Sequence, residues 1–269
     1  MIALLPGFLL KLPRCTLLTS RRALTQGSCE QKYLATFDFD LSIIEEDSYM
    51  AVTRLLPPDQ RTKKLYGQIQ ESGWIAFMQQ VLETLHQQHG IGAAKIAQQV
   101  REVPAVPGIL GLLRRLAAQR AHIDMHIVSD ANSFFIEHWL EAHQLTNIFA
   151  GVHTNPASVD CNELLQIMPY EQQTHCDLCP PNLCKGGVMA NLMAAVHVPY
   201  KRIIYVGDSC NDLCAIVALR PGDIACIRCG EELHAKLPAH EHQLRCELLH
   251  WRDGDDLEQQ LFDDCLRNL

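Results

Sequence analysis

Short apolar runs alternate along the chain with longer stretches that carry apolar residues at helical spacing. Four runs have the length and content of buried parallel strands, at positions 33–37, 123–128, 202–206 and 223–227. Apolar residues three and four positions apart predict helices after Pro107-Gly108 and after Gly186-Gly187. Strands that alternate with helices predict an α/β protein with a doubly wound parallel sheet.

The segment between the first two predicted strands is too long for a single crossover helix. One helix accounts for the residues after Pro104, so residues 48–103 are not needed for the crossover. This segment has Gln, Leu, Ala and His at helical spacing and few β-branched runs, so it predicts a small helical cap inserted after the first strand. The predicted organisation is an N-terminal extension (1–32), a core (33–47 and 104–269) and a cap (48–103).

Charge and hydropathy narrow the range of partners. The 269 residues carry a formal net charge of -8 without a long basic tract, so we expect no nucleic-acid partner. No apolar run is long enough to span a bilayer, so we expect no membrane partner. Residues 1–29 are basic and lack acidic residues, which suits a mitochondrial transit peptide, but we favour an unstructured extension on a cytoplasmic protein. The sequence does not indicate an oligomeric state.

Three of the predicted strands end in polar residues. The acidic and hydroxyl residues at these strand ends are Asp38, Asp40, Ser129, Asp130, Asp208 and Asp212. Ligands of open parallel sheets bind at the carboxyl ends of the strands, and carboxylate oxygens suit a hard cation such as Mg²⁺. Each motif alone also fits a solvated turn or a helix N-cap. Their common position at strand ends favours a shared site.

With Ser42 and with Lys185 at a predicted helix start, these residues resemble the haloacid dehalogenase superfamily of aspartate phosphatases. That superfamily shows Asp-x-Asp-x-Thr/Ser, Ser/Thr at a strand end, Lys and Gly-Asp-x-x-x-Asp in this order. The segments 37–40, 127–132, 176–185 and 205–208, with Asn155-Pro156, are similar to phosphatases acting on phosphoethanolamine, phosphocholine and pyridoxal 5′-phosphate. The resemblance implies a Rossmann-like core and a small-molecule phosphate ester as substrate.

The resemblance also implies a mechanism. Asp38 attacks phosphorus and forms an acyl phosphate, while Asp40 protonates the leaving alcohol and then deprotonates the hydrolytic water. Mg²⁺ is expected on Asp38, the backbone carbonyl of Asp40 and Asp208, with Asp212 orienting these ligands.

The same resemblance assigns the phosphate and substrate contacts. Ser129 and Lys185 are expected on the phosphoryl oxygens, with Ser42 and Asp130 nearby. Tyr49 stands where the closer relatives usually carry Asp, and Gln172-Gln173-Thr174 where they often have a histidine-containing run. Because a flat ring can stack on Tyr49, pyridoxal 5′-phosphate is the favoured substrate, with phosphoethanolamine or phosphocholine as the alternative.

Other functions stay open at this point. A phosphotransferase or mutase on the same fold, a catalytically diverged binding paralogue and a zinc-held interaction module are the rivals. Twelve cysteines bear on the last. Cys176, Cys179 and Cys184 either bind zinc or are buried thiols that pack the loop before Lys185, and we favour the thiols. The fourth zinc ligand would come from His175, Cys226 or Cys229.

Overall fold

The computed structural model describes residues 31–267. Its strands are β1 (Tyr33–Phe37), β2 (Ile123–Asn132), β3 (Gly151–Asn155), β4 (Ala157–Val159), β5 (Leu165–Ile167), β6 (Arg202–Gly207), β7 (Ile224–Arg228) and β8 (Glu247–Trp251). Six of them form a parallel sheet in the order β3-β2-β1-β6-β7-β8, and β4 and β5 form an antiparallel pair. The predicted doubly wound α/β fold is confirmed.

Helices cover both faces of this sheet. They are α1 (Ser48–Thr53), α2 (Lys63–Ser72), α3 (Trp74–His89), α4 (Ala93–Arg101), α5 (Ile109–Ala118), α6 (Ser133–Ala142), α7 (Lys185–Ala194), α8 (Leu213–Val217), α9 (Glu232–Lys236) and α10 (Gly254–Gln260). Alternate residues of β1 serve the two cores. Ala35 and Phe37 pack in the core of α5, α6 and α10, whereas Leu34 packs in the core of α7, α8 and α9.

The segment predicted as a cap contains only helices, α1 to α4. Phe77 and Val81 of α3 belong to the same apolar cluster as Phe37 of the sheet, and α4 packs beside α6. The hairpin β4–β5, which the sequence did not predict, also contacts α3, where the Gln79 side chain accepts a hydrogen bond from the Ile167 N–H. The division into core and cap at residues 48 and 103 stays a prediction.

Two other features differ from the sequence expectation. Strand β2 continues to Asn132, so Ser129 lies inside the strand, and Asn132 caps helix α6 through the Phe135 N–H. The edge strands β3 and β8 were not predicted, because their mixed polar and apolar residues give no continuous apolar run.

The predictions for the N-terminus concern residues 1–30, which lie outside the described residues, as well as Gln31 and Lys32 just before β1. Within 31–267, no helix combines the length and hydropathy that crossing a membrane requires.

Candidate active site

The central strands β1 and β6 lie side by side where the strand order of the sheet reverses, which is where ligands bind in such folds. Asp38 follows the last residue of β1, and Asp208 follows Gly207, the last residue of β6. Together with Asp212 they form a carboxylate cluster whose oxygens lie within 4.8 Å of one another. The fold therefore brings Asp38 together with two acids that are far from it in the chain.

Lys185 lies beneath this carboxylate cluster. It is the first residue of α7, its side chain is fully buried, and its Nζ donates to Asp38 Oδ2 at 2.6 Å and to Asp212 Oδ1 at 2.7 Å. Burial lowers the pKa of Lys185, but the neighbouring carboxylates of Asp212 and Asp38 outweigh it and raise that pKa above its ordinary value. The ammonium group therefore stays charged and offsets part of the negative charge.

Asp212 is held from all sides. Its Oδ1 accepts from Lys185 and from the Tyr205 hydroxyl (2.7 Å), and its Oδ2 accepts from the backbone N–H groups of Asp208 (3.0 Å) and Ser209 (3.1 Å). Gly207 is required for this approach, because a Cβ there would lie 2.5 Å from Asp212 Oδ2. With its oxygens occupied in this way, Asp212 is suited to positioning Lys185 and the backbone of Asp208.

The charges of the cluster fit a divalent cation. Burial raises the pKa of Asp38 to about 7, against the pull of Lys185. Burial, with the charges of Asp212 and Asp38, raises the pKa of Asp208 to about 9. One ammonium among three buried carboxylates leaves an excess of negative charge, and the donors are hard oxygens. Mg²⁺ matches both properties.

Asp40 is separate from this cluster although it lies only two residues from Asp38. Its carboxylate accepts hydrogen bonds from the backbone N–H (3.0 Å) and the hydroxyl (3.1 Å) of Ser48, the first residue of α1. Burial, with the charges of Asp47 and Asp38, raises the pKa of Asp40 well above its ordinary value. Asp40 is thus suited to hold a proton near neutral pH. A metal contact through its backbone carbonyl stays a prediction.

A cavity of about 340 Å³ opens over these groups. The lining residues are Asp38, Asp40, Leu41, Asp47, Tyr49, Trp74, Ser129, Asp130, Ala131, Asp208, Ser209, Asn211, Glu231 and Glu232. Of the predicted phosphate and substrate contacts, Ser129, Asp130 and Tyr49 lie on its wall. Lys185 and Ser42 lie below it, where the Ser42 hydroxyl donates to Asp208 Oδ1 at 3.2 Å. Ser42 is thus placed to hold Asp208.

Asp130 is fixed by a set of amides. Its carboxylate accepts from Asn182 (3.1 Å) and Asn211 (2.8 Å), and the Asn155 side chain donates to its backbone carbonyl at 2.7 Å. Burial raises the pKa of Asp130. Asn182 precedes Lys185 in the chain and Asn211 precedes Asp212, so this network joins the polar ends of several elements at the cavity.

Sequence reasoning missed several residues of the site. Ser48 and Tyr205 hold carboxylates that were predicted, and Trp74, Asp47 and Glu231 line the cavity. Tyr205 lies two positions before Gly207 in an apolar strand, where a hydroxyl needs a buried partner, so the sequence did carry a signal for it. Trp74 carried none, since its place depends on how α3 packs.

A reversal of strand order with an Asp-x-Asp pair, a buried lysine and a second acid pair defines a phosphatase of the haloacid dehalogenase class. The chain belongs to the family described as "Putative Phosphatase", whose profile matches residues 33–265. It is 32% identical over 236 residues to pyridoxal phosphate phosphatase PHOSPHO2 of Mus musculus, covering 86% of this chain and 97% of that protein.

Two further comparisons agree with this assignment. Phosphoethanolamine/phosphocholine phosphatase of Homo sapiens is 30% identical over 262 residues, covering 94% of this chain and 96% of that protein. Among solved structures, a phospho-aspartyl intermediate analogue of phosphoserine phosphatase aligns with a TM-score of 0.58 at 13% identity, over 86% of this chain and 99% of that chain. The first supports the family and the second the fold. The chain is a phosphoric monoester hydrolase.

Proposed function

We propose that this chain is a Mg²⁺-dependent phosphatase that hydrolyses a small phosphate monoester through an aspartyl-phosphate on Asp38, with pyridoxal 5′-phosphate as the favoured substrate. The observation that carries the proposal is that two neighbouring acids have different hydrogen-bond partners. Asp38 and Asp40 face one cavity, but Lys185 holds Asp38 and Ser48 holds Asp40. Two acids in different environments can take different roles.

In the first step, an oxygen of Asp38 attacks phosphorus and the bond from phosphorus to the ester oxygen breaks. Asp40 gives its proton to that oxygen, so the alcohol leaves uncharged. The raised pKa of Asp40, caused by burial and by Asp47 and Asp38, keeps this proton available. The product is an acyl phosphate on Asp38 and a carboxylate on Asp40.

In the second step, Asp40 acts as a base. Its carboxylate takes a proton from a water molecule as the water oxygen attacks phosphorus, and the bond between phosphorus and Asp38 breaks. Inorganic phosphate leaves and both acids return to their starting state. Ser48 keeps the Asp40 carboxylate in place throughout, because its two hydrogen bonds come from the start of α1.

The dianionic substrate must approach a negatively charged nucleophile. Lys185 partly neutralises Asp38 from below, and Ser129, which lines the cavity, would contact the phosphoryl oxygens through its hydroxyl. Mg²⁺ on Asp38, Asp208 and the Asp40 backbone carbonyl would supply the remaining positive charge and draw electron density from the phosphoryl oxygens. Asp212 accepts hydrogen bonds from Lys185 and from the Asp208 backbone N–H, and these bonds fix the positions of both groups.

Two aromatic side chains support a ring-bearing substrate. Tyr49 of α1 and Trp74 of α3 both line the cavity, and both belong to the segment that we propose forms the cap. Tyr49 is held edge-on against Phe77, with ring centroids 6.0 Å apart. A flat pyridine ring gains stacking contact from either side chain.

A second candidate comes from the acidic rim. Asp47, Glu231 and Glu232 line the same cavity, and burial with the charges of Glu231 and Glu46 raises the pKa of Asp47. Acidic groups next to aromatic rings also attract an ammonium group. Phosphoethanolamine and phosphocholine are therefore the alternative substrates.

The test is a screen of small phosphate esters for release of inorganic phosphate, with and without Mg²⁺ and without an added acceptor alcohol. We expect Mg²⁺-dependent release, fastest for pyridoxal 5′-phosphate. Asp38→Asn keeps the size and removes the nucleophile, so it serves as the blank. Release at the wild-type rate by Asp38→Asn would contradict the mechanism, and release only with an acceptor would indicate a phosphotransferase.

Two variants separate the substrate candidates. Trp74→Ala should raise the KM for pyridoxal 5′-phosphate several-fold, about 1 kcal/mol of stacking, and change the KM for phosphoethanolamine less, because the acidic rim still attracts its ammonium group. Glu231→Gln should do the reverse. A rate with phosphoethanolamine far above that with pyridoxal 5′-phosphate would exclude the favoured substrate and leave the phosphatase assignment standing.

A further inference from the structure

Four cysteine side chains meet at one point beside the carboxylate cluster. Cys176, Cys179, Cys184 and Cys214 form a thiol cluster whose Sγ atoms lie within 4.8 Å of one another, and all four are free thiols. Cys214 Sγ lies 3.4 Å from Cys176 Sγ and 3.8 Å from Cys184 Sγ. We propose that this thiol cluster is a structural zinc site with four thiolate ligands.

The sulfur spacing is that of a zinc tetrahedron. Zinc–sulfur bonds of about 2.3 Å set neighbouring sulfurs of a regular tetrahedron about 3.8 Å apart. Thiolates are soft ligands that select Zn²⁺ over Mg²⁺. Four protein ligands leave no open position for water or substrate, so the metal would hold the fold and take no part in the chemistry.

The fourth ligand differs from those considered from the sequence. His175 is exposed, Cys226 lies in β7, and Cys229 groups with His234 and His250 elsewhere. Cys214 of α8 completes the cluster instead. Thiols that only fill a core have no reason to direct their sulfur atoms at a common point, whereas ligands of one ion must do so. The convergence therefore favours the zinc site over the packing role.

The loop that carries Cys176 and Cys179 is shaped by one buried side chain. The amide of Gln173 donates to the carbonyls of Cys176, Cys179 and Pro180, at 3.0 to 3.2 Å. Its oxygen accepts from the N–H groups of His175 (3.0 Å) and Cys176 (2.9 Å). Gln173 thus preorganises the Cys-x-x-Cys loop, which is a role of a supporting residue rather than of a substrate contact.

Helices α7 and α8, which contact the thiol cluster, also have residues that suit a metal site there. Cys184 is the N-cap of α7, and its sulfur accepts a hydrogen bond from the Gly187 N–H at 3.4 Å, which suits a thiolate. Gly186 lets α7 approach α8, because a Cβ there would lie 2.5 Å from Cys214 Sγ. The Cys-x-x-Cys loop, α7 and α8 are therefore all adapted to the positions of these sulfur atoms.

The position of the thiol cluster indicates its purpose. Cys184 directly precedes Lys185, and Cys214 follows Asp212 by two residues. A zinc ion bound there would tie α7 to α8 next to the two ends of the Lys185–Asp212 ion pair. It would fix the groups beneath the nucleophile without touching the substrate.

The test uses the full chain, purified without chelators under reducing conditions. We expect one zinc per chain by elemental mass spectrometry. In the stripped protein, Co²⁺ uptake should give the absorption of tetrahedral cobalt with thiolate charge transfer. Cys176→Ser should lose most of the zinc and lower the melting temperature, whereas Cys161→Ser, at an exposed cysteine, should change neither.

Thiol labelling gives a readout that does not require variants to fold. With zinc bound, N-ethylmaleimide should spare Cys176, Cys179, Cys184 and Cys214, and a chelator should expose them. Several results would overturn the proposal. They are a reduced protein without zinc that takes up no Co²⁺, a Cys176–Cys214 disulfide in the native protein, and zinc that survives Cys176→Ser but is lost in Cys229→Ser.

Discussion

The carboxylate cluster and the thiol cluster lie next to each other but are built differently. Asp38 and Asp208 stand at the ends of central strands, where the sheet itself sets their positions. Three of the four cysteines lie on or next to a loop that depends on Gln173 for its shape. The first cluster gathers oxygens around a lysine, and the second gathers four sulfurs that we propose hold zinc.

The two clusters also differ in whether their side chains reach the cavity. Asp38 and Asp208, at the ends of their strands, both line the cavity and are therefore open to a molecule bound there. None of the four cysteines lines this cavity, and with zinc bound the thiol cluster would join the Cys-x-x-Cys loop to α7 and α8. Lys185 is the link, since it neutralises the acids and follows Cys184 directly. The predictions below test whether the two centres act separately.

The largest effect is expected from Lys185→Gln. It leaves Asp38 and Asp212 buried without their cation, and breaking a buried ion pair costs about 3–5 kcal/mol. Turnover should fall on the order of 10²–10³-fold, because positive charge below the nucleophile is lost. Urea unfolding and phosphate release measure the two effects. Lys95→Gln, at an exposed lysine, is the control, and an equal result in both variants would contradict the assigned role.

The next prediction concerns pH in the protein freed of Mg²⁺. Burial raises the pKa of Asp38 to about 7, and burial with neighbouring acids raises that of Asp208 to about 9, both above their unfolded values. The folded state thus keeps protons that the unfolded chain releases, so its free energy of unfolding falls as pH rises from about 4 to about 9. Mg²⁺ should stabilise the protein more at pH 8 than at pH 5.

Chemical unfolding at several pH values, with and without Mg²⁺, measures this slope. Asp208→Asn removes one of the acids whose pKa is raised and should make the slope less steep. A free energy of unfolding that rises between pH 5 and pH 8 without Mg²⁺ would show that the carboxylate cluster is not short of positive charge.

The sequence predicted the strand ends because buried parallel strands read as continuous apolar runs. The acids that follow β1 and β6 could be placed together from topology alone. Cys214 was missed, although Lys185 and Asp212 were expected in the same site, which also places their neighbours Cys184 and Cys214 near each other. Trp74 depended on the packing of α3, and no local pattern carries that information.

A smaller effect is expected at two adjacent glycines of α7. A Cβ at Gly186 would lie 2.5 Å from Cys214 Sγ and 2.9 Å from its carbonyl oxygen, so Gly186→Ala must push α8 away. We expect a loss of about 1–3 kcal/mol in unfolding free energy. At Gly187 the nearest atom would be Cys184 Sγ at 3.5 Å, an ordinary contact. Gly187→Ala should therefore be neutral or add up to about 1 kcal/mol.

Unfolding and zinc content of the two glycine variants together sharpen the comparison between the clusters. Gly186→Ala should weaken zinc retention as well as stability, whereas Gly187→Ala should keep both. If both variants unfold alike, α7 and α8 do not meet through Cys214, and the close approach on which the zinc site depends is wrong.

The smallest effect is expected from Ser48→Ala, which acts on the carboxylate side alone. The Ser48 hydroxyl is one of two groups that hold the Asp40 carboxylate, and a hydrogen bond of this kind contributes about 1 kcal/mol, which corresponds to about a five-fold change in turnover. This bond favours the charged form, so its loss raises the pKa of Asp40 further. The proton needed for the first step remains. The Asp40 carboxylate that this step leaves, however, is reprotonated by solvent up to a higher pH than in the wild type, which removes the base for the second step. The acidic limb of the turnover profile should therefore move to higher pH in Ser48→Ala, with zinc content unchanged.

Thr53→Val, which removes a hydroxyl from the same helix, is the control and should leave the pH profile of turnover unchanged. An unshifted limb in Ser48→Ala would mean that Asp40 is not the group that titrates.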